Sequence, residues 1–112
     1  IHEEMGLLNW ENILKVTGAP ERIIRMKTNL LLRTQSTPNT PHIDYPDPHL
    51  VLLYYVNDSS GPTTFYNKKF KVKKEVLPKK GRILIFDGSI YHSSTPPTTN
   101  DYRCVINFDL KL

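Results

Sequence analysis

Apolar residues recur at helical spacing only near the start of the chain. Leu7, Trp10, Ile13 and Leu14 fall on one helical face, and Gly18 followed by Pro20 ends the repeat, as glycine and proline do beyond a helix C-terminus. The spacing predicts a helix over about 7–16, within a helical N-terminal segment covering 1–20. Beyond it the pattern changes to short apolar runs separated by turn residues. The stretch Arg22 to Arg33 has a middle, Ile23 to Leu32, that is apolar enough for a strand covered on both faces. Leu50 to Val56 is dense in Leu, Val and Tyr and reads as a strong strand. Thr63 to Tyr66, Phe70 to Val76, Arg82 to Asp87 and Tyr102 to Leu110 read as further strands. The segment from Asn57 to Pro62 is a turn, and Gly81 and Gly88 punctuate the later runs. Thr34 to Pro48, rich in Thr, Pro, Asn and Asp, reads as a loop.

One helix followed by many short strands argues for a sandwich or a jelly-roll barrel rather than a βαβ fold. The expected organisation is a single mostly β domain over 1–112, with the jelly roll spanning 22–112. A barrel of this kind has a narrow mouth where a metal and a small ligand can sit. A small antiparallel sandwich without a pocket is the simpler alternative.

The composition agrees with a folded domain. Hydrophobic residues make up 38% of the 112 residues and charged residues 23%, which excludes the disordered class. No apolar run reaches the length needed to span a bilayer as a helix. The chain opens on Ile1 rather than Met, so it is expected to begin inside a longer product, with an upstream signal or transit segment left open. Cys104 is the sole cysteine. It rules out an internal disulfide and favours a reducing compartment, and a cytoplasmic protein, host-cytoplasmic if virus-encoded, is expected. Within its strand Cys104 reads as a small core residue rather than a nucleophile.

The net charge is +4, and much of it comes from Lys68, Lys69, Lys71, Lys73, Lys74, Lys79, Lys80 and Arg82. Such a face can attract nucleic acid or an acidic protein. A lysine-guarded strand that resists edge-to-edge pairing is the simpler reading.

The candidate chemistry lies in three places. In His42-Ile43-Asp44, an extended backbone sends residues two apart to the same side, so an imidazole and a carboxylate can take adjacent positions on one metal. Taken alone the pattern is equally a surface turn ahead of Tyr45-Pro46. His92 follows the run Gly81 to Gly88 and lies 50 residues after His42. Two histidines and one carboxylate on one face of an octahedral ion leave three positions open. Arg103 lies eleven residues after His92. In its strand Tyr102, Cys104, Ile106, Phe108 and Leu110 share one face, and Arg103, Val105, Asn107 and Asp109 share the other. Arg103 therefore faces either solvent or a polar barrel mouth, where a planar guanidinium can bind a carboxylate through two hydrogen bonds.

Taken in order, these elements resemble the Fe(II)/2-oxoglutarate-dependent oxygenases, closest to the prolyl-4-hydroxylase-like branch with its small viral and bacterial members. The resemblance runs from about Arg25 to Leu110. It is carried by Arg25 to Leu30, His42-Ile43-Asp44, Leu53 to Asn57, Gly61-Pro62-Thr63-Thr64-Phe65, Phe86 to Ser93 and Arg103 to Phe108. It implies a double-stranded β-helix, with His42, Asp44 and His92 as iron ligands and Arg103 paired with the distal carboxylate of 2-oxoglutarate. It matches Tyr55 to a tyrosine that helps hold the same carboxylate, against an alternative role in core packing. Asn29 and Thr63 are candidates for lining the pocket, and Lys27 and Arg33 for facing the substrate. The implied co-substrates are 2-oxoglutarate and O2, with ascorbate as a candidate reductant. The implied reaction is hydroxylation of an unactivated C–H bond, coupled to decarboxylation of 2-oxoglutarate to succinate.

The chain also departs from the family pattern. Gly61-Pro62 stands where Gly-Gly is usual, and Arg103 stands where many collagen-type prolyl hydroxylases carry Lys. Asp109 stands where nucleic-acid alkylation-repair oxygenases carry a second arginine, which counts against nucleic acid as substrate. A peptide, protein or small molecule is expected instead, with a prolyl residue the leading candidate. Two other readings stay open at this point, a cupin-like metal-binding protein without 2-oxoglutarate chemistry and a non-catalytic basic binding module.

Overall fold

The computed structural model describes residues 2–5, 23–33 and 37–112, with the backbone alone described for 2–5. The helix expected over about 7–16 lies outside these residues. Eight strands are present among the described residues: β1 (His2–Met5), β2 (Ile23–Leu32), β3 (His49–Tyr55), β4 (Thr63–Tyr66), β5 (Val72–Val76), β6 (Arg82–Asp87), β7 (His92–Ser94) and β8 (Tyr102–Lys111). They form two antiparallel sheets, one in the order β1-β6-β3-β8-β2 and the other β5-β4-β7. The protein is thus mostly β, compatible with a sandwich. Residues 2–5, at the start of the segment 1–20 expected to carry that helix, pair with β6 as a strand.

The period-2 alternation of strands separates two apolar clusters. Val51, Leu53 and Tyr55 of β3, Leu84 and Phe86 of β6, and Val105 of β8 meet Phe65 and Val76 of the smaller sheet. This is the core between the sheets. The alternate residues Leu52, Tyr54, Ile83, Phe108 and Leu110 form a second buried cluster on the other face of the large sheet.

Strand β2 corrects one expectation. It spans Ile23–Leu32, but it is not covered on both faces. Met26, Leu30 and Leu32 are exposed, because β2 lies at the end of the sheet order, beyond β8. Cys104, expected in the core, is only partly buried. It shares the face of Tyr102 and Ile106 rather than that of Val105. In the lysine-rich segment, β5 ends the order of the smaller sheet, and Lys73 and Lys74 on it are exposed.

Candidate metal centre

The site forms where the loop after β2 meets β7. His42, in the loop, and His92, the first residue of β7, make an isolated antiparallel bridge. Each backbone N–H donates to the other's carbonyl oxygen, at 3.0 and 3.1 Å. The pairing continues at Asn39, whose N–H donates to the Ser94 carbonyl at 2.8 Å and whose side-chain amide donates to the Ser94 hydroxyl at 2.9 Å. On the other side, the turn after β6 delivers His92. Asp87 accepts from the Ser89 N–H at 2.8 Å, and Gly88 donates its N–H to the His49 carbonyl at 2.8 Å. A Cβ on Gly88 would fall 2.2 Å from His49 Nε2, so only glycine lets this turn lie against the buried His49 ring.

Three of the sequence-predicted residues meet here. His42 Nε2 lies 3.3 Å and His92 Nε2 3.8 Å from Asp44 Oδ1, and the ligand atoms of all three side chains fall within 4.8 Å of one another. The opposite ring nitrogens face backbone carbonyls, His42 Nδ1 that of Thr40 at 3.1 Å and His92 Nδ1 that of Ile90 at 3.0 Å. Neutral imidazoles in this setting carry their proton on Nδ1 and leave the Nε2 lone pair for a cation. Phe86 and Phe65 wall the His92 ring, with centroids at 5.0 and 6.4 Å. His42 keeps about half of its side chain exposed, whereas His92 and Asp44 are buried.

The electrostatics suit a cation. Burial pushes the Asp44 carboxyl up, but hydrogen bonds from His42, Asn107 and Asp109 and the charge of His92 hold it well below the usual carboxylate range. Burial lowers His92, against the Ile90 carbonyl and the Asp44 charge, which raise it. The hydrogen bond to Asp44 raises His42. Two nitrogens and a pre-ionised carboxylate oxygen are therefore gathered on one side of a gap, and this donor set fits a first-row divalent ion with open positions.

The site opens into a cavity of about 430 Å³, lined among others by Asn29, Thr63 and Arg103. Arg103 is almost fully buried. Its Nε donates to the Gly61 carbonyl at 2.9 Å, and one terminal nitrogen donates to Thr63 Oγ1 at 2.6 Å. Of the two alternatives for Arg103, the polar mouth is therefore realised and solvent is not. A Cβ on Gly61 would lie 1.9 Å from the Thr95 carbonyl, so glycine at 61 permits the close approach that aims its own carbonyl at Arg103. Tyr55 is fully buried; its hydroxyl bonds Thr63 Oγ1 at 2.6 Å, and its ring lies 5.8 Å from the guanidinium carbon. Lys27 lines the cavity. Arg33 does not, and pairs with Asp101 on the surface at 3.1 Å.

Four contributors were not singled out from the sequence. Asn107 donates to Asp44 Oδ2 at 3.0 Å. Asp109 accepts from Arg25 Nε at 3.1 Å. His49 Nε2 lies 3.9 Å from Asp109 Oδ1. Burial, followed by the neighbouring Asp44, pushes the Asp109 carboxyl up to about 6. The signal for Asn107 and Asp109 lay in the alternation that places them on the Arg103 face; Arg25 was named only as the start of a stretch carrying the family resemblance, and nothing marked His49.

No protein-family model matches this chain, and neither does any curated protein. Among the described residues no helix is long and apolar enough to cross a membrane.

Proposed function

We propose that the chain is an Fe(II)- and 2-oxoglutarate-dependent oxygenase of the prolyl-4-hydroxylase-like type, built on a double-stranded β-helix. The observation that carries the reading is the convergence of His42, Asp44 and His92 on a cavity that is also lined by the buried Arg103. His42, Asp44 and His92 would hold the iron, whose bound chemistry is activation of O2 at the expense of 2-oxoglutarate. Arg103, fixed by Gly61 and Thr63, supplies a guanidinium for a carboxylate remote from the metal. Tyr55 orients Thr63, and Asn29 borders the same space. Phe65 and Phe86 keep water from the His92 side. The substrate is a peptide, a protein or a small molecule, with a prolyl residue the first candidate. Crossovers between non-neighbouring strands in the two sheets agree with the jelly-roll topology.

The test is an anaerobic titration of the Fe(II)-loaded protein with 2-oxoglutarate, followed by the visible metal-to-ligand charge-transfer band. The band is expected in the wild type and should be lost in His92→Ala. Iron binding with no band would favour the cupin-like alternative. Absence of iron binding would favour a non-catalytic module.

A further inference from the structure

Strand β2 runs along the cavity in register with β8: Arg25 stands opposite Asp109, Lys27 opposite Asn107, Asn29 opposite Val105 and Leu31 opposite Arg103. The charged residues lining the cavity are Arg25, Lys27, Arg103 and Asp44. Three of them are matched under the proposed function, on which the present inference rests. Arg25 is held by Asp109 at 3.1 Å, with Asp44 at 3.9 Å. Arg103 meets the distal carboxylate of the co-substrate. Asp44 and the co-substrate's other carboxylate together offset a divalent ion. Lys27 is left over. It is exposed, it makes no ion pair with an acidic side chain among the described residues, and its charge reaches His42, where it disfavours the imidazolium. An ammonium on a cavity wall beside the metal ligands raises the local concentration of anions and discriminates against neutral isosteres.

We propose that Lys27 receives a carboxylate of the primary substrate, so that the enzyme oxidises molecules bearing a negative charge close to the reacting carbon. Two sources supply this chemistry: an Asp or Glu side chain beside the target residue of a peptide, or the main-chain carboxylate of a free amino acid. Asn107, opposite Lys27 on β8, and Asn29, two residues along β2, add neutral polar groups and no competing negative charge.

The experiment uses matched probes. Two peptide pools, each varied at the target position and carrying either Asp or Asn beside it, are titrated into the Fe(II)- and 2-oxoglutarate-loaded protein without oxygen, and binding is read by fluorescence anisotropy. Free L-proline and L-prolinamide form a second pair, read by calorimetry. The charged member of a pair is expected to bind at least about ten-fold more tightly, as loss of one charge-assisted hydrogen bond would give. Lys27→Gln should abolish the difference, Lys27→Arg should keep it, and Lys27→Glu should reverse it. A preference confined to the pools assigns the carboxylate to an acidic side chain; one confined to proline assigns it to a free amino acid. No difference within either pair, binding by neither member included, overturns the inference, as does a preference that survives Lys27→Gln. The 2-oxoglutarate band recorded on the same sample separates the failures. A band without charge preference removes the role of Lys27 alone, whereas no band removes the oxygenase reading beneath it.

Discussion

Asn107 divides the two oxygens of Asp44 between two tasks. Its amide donates to Oδ2 at 3.0 Å, which leaves Oδ1 turned toward the Nε2 atoms of His42 and His92 at 3.3 and 3.8 Å. A carboxylate held by one oxygen presents the other in a fixed direction, and such outer partners typically contribute about 10–100-fold to metal affinity. Asn107→Ala is therefore expected to weaken divalent metal binding by about that factor without unfolding the sheet. A metal titration of both proteins checks this; unchanged affinity would mean that Asn107 does not orient Asp44.

Arg103 should affect the co-substrate and spare the metal. Its guanidinium is buried on the cavity wall and fixed by Gly61 and Thr63. Replacing it with lysine keeps a charge but loses the planar fork. Arg103→Lys is expected to raise the 2-oxoglutarate concentration needed for half-maximal succinate release by roughly 10–100-fold, the worth of about one charge-assisted hydrogen bond. The iron requirement should stay within a few-fold. Equal shifts in both would reject the assignment.

Metal binding should release protons. The hydrogen bond to Asp44 raises His42 above 6.5, and burial together with Asp44 pushes Asp109 up to about 6. A cation at Asp44 removes the main cause of the His42 shift and the Asp44 part of the Asp109 shift, so both groups give up protons on binding. Metal affinity should fall as pH drops through the raised value of His42. Calorimetry in buffers of different ionisation enthalpy measures the protons released. Zero release near pH 6 would contradict the arrangement.

The same shifts give the metal-free protein a signed pH dependence. Asp109 binds its proton more tightly folded than unfolded, so its contribution is complete below 3.8 and is lost as pH rises through about 6. His92, lowered by burial, acts oppositely and costs stability as pH falls from 6.5 through its folded value. Asp109→Asn should therefore flatten the decline between about pH 4 and 6 in thermal melts of the metal-free protein. Equal slopes for wild type and Asp109→Asn across that window would count against a raised Asp109 carboxyl.

Gly88→Ala should be costly although the residue touches no ligand. The new Cβ would fall 2.2 Å from His49 Nε2, and His49 is fully buried. Overpacking of this kind costs about 1–3 kcal/mol. Denaturant unfolding should show the loss, and metal affinity should fall with it, since the same turn delivers His92. An unchanged midpoint would mean that the imidazole can move aside.

Much of this was legible in the chain because extended backbone has a short, rigid period. The runs at Ile23–Leu32, Thr63–Tyr66 and Arg82–Asp87 coincide with strands, and the sharing of one face by His42 and Asp44 follows from their spacing. Strand β7 was missed because three residues, His92 to Ser94, are too few to show an alternation. The apolar content of β2 misled because Met26, Leu30 and Leu32 look like core residues in sequence, yet they stand on the last strand of a sheet. The division of labour between the Asp44 oxygens was not legible at all. It depends on how closely β8 approaches a loop 63 residues away in sequence.

Strand β8 has a bearing on how such a pocket can evolve. Its alternate residues Arg103, Val105 and Asn107 line the cavity and Asp109, on the same face, holds Arg25, while Phe108 and Leu110 serve the opposite cluster. Single substitutions at the first set can retune what the pocket accepts without disturbing the second. A one-residue deletion within the strand would turn every one of them to the wrong side. Selection can therefore vary this site letter by letter, while the length of the strand that carries it is held fixed.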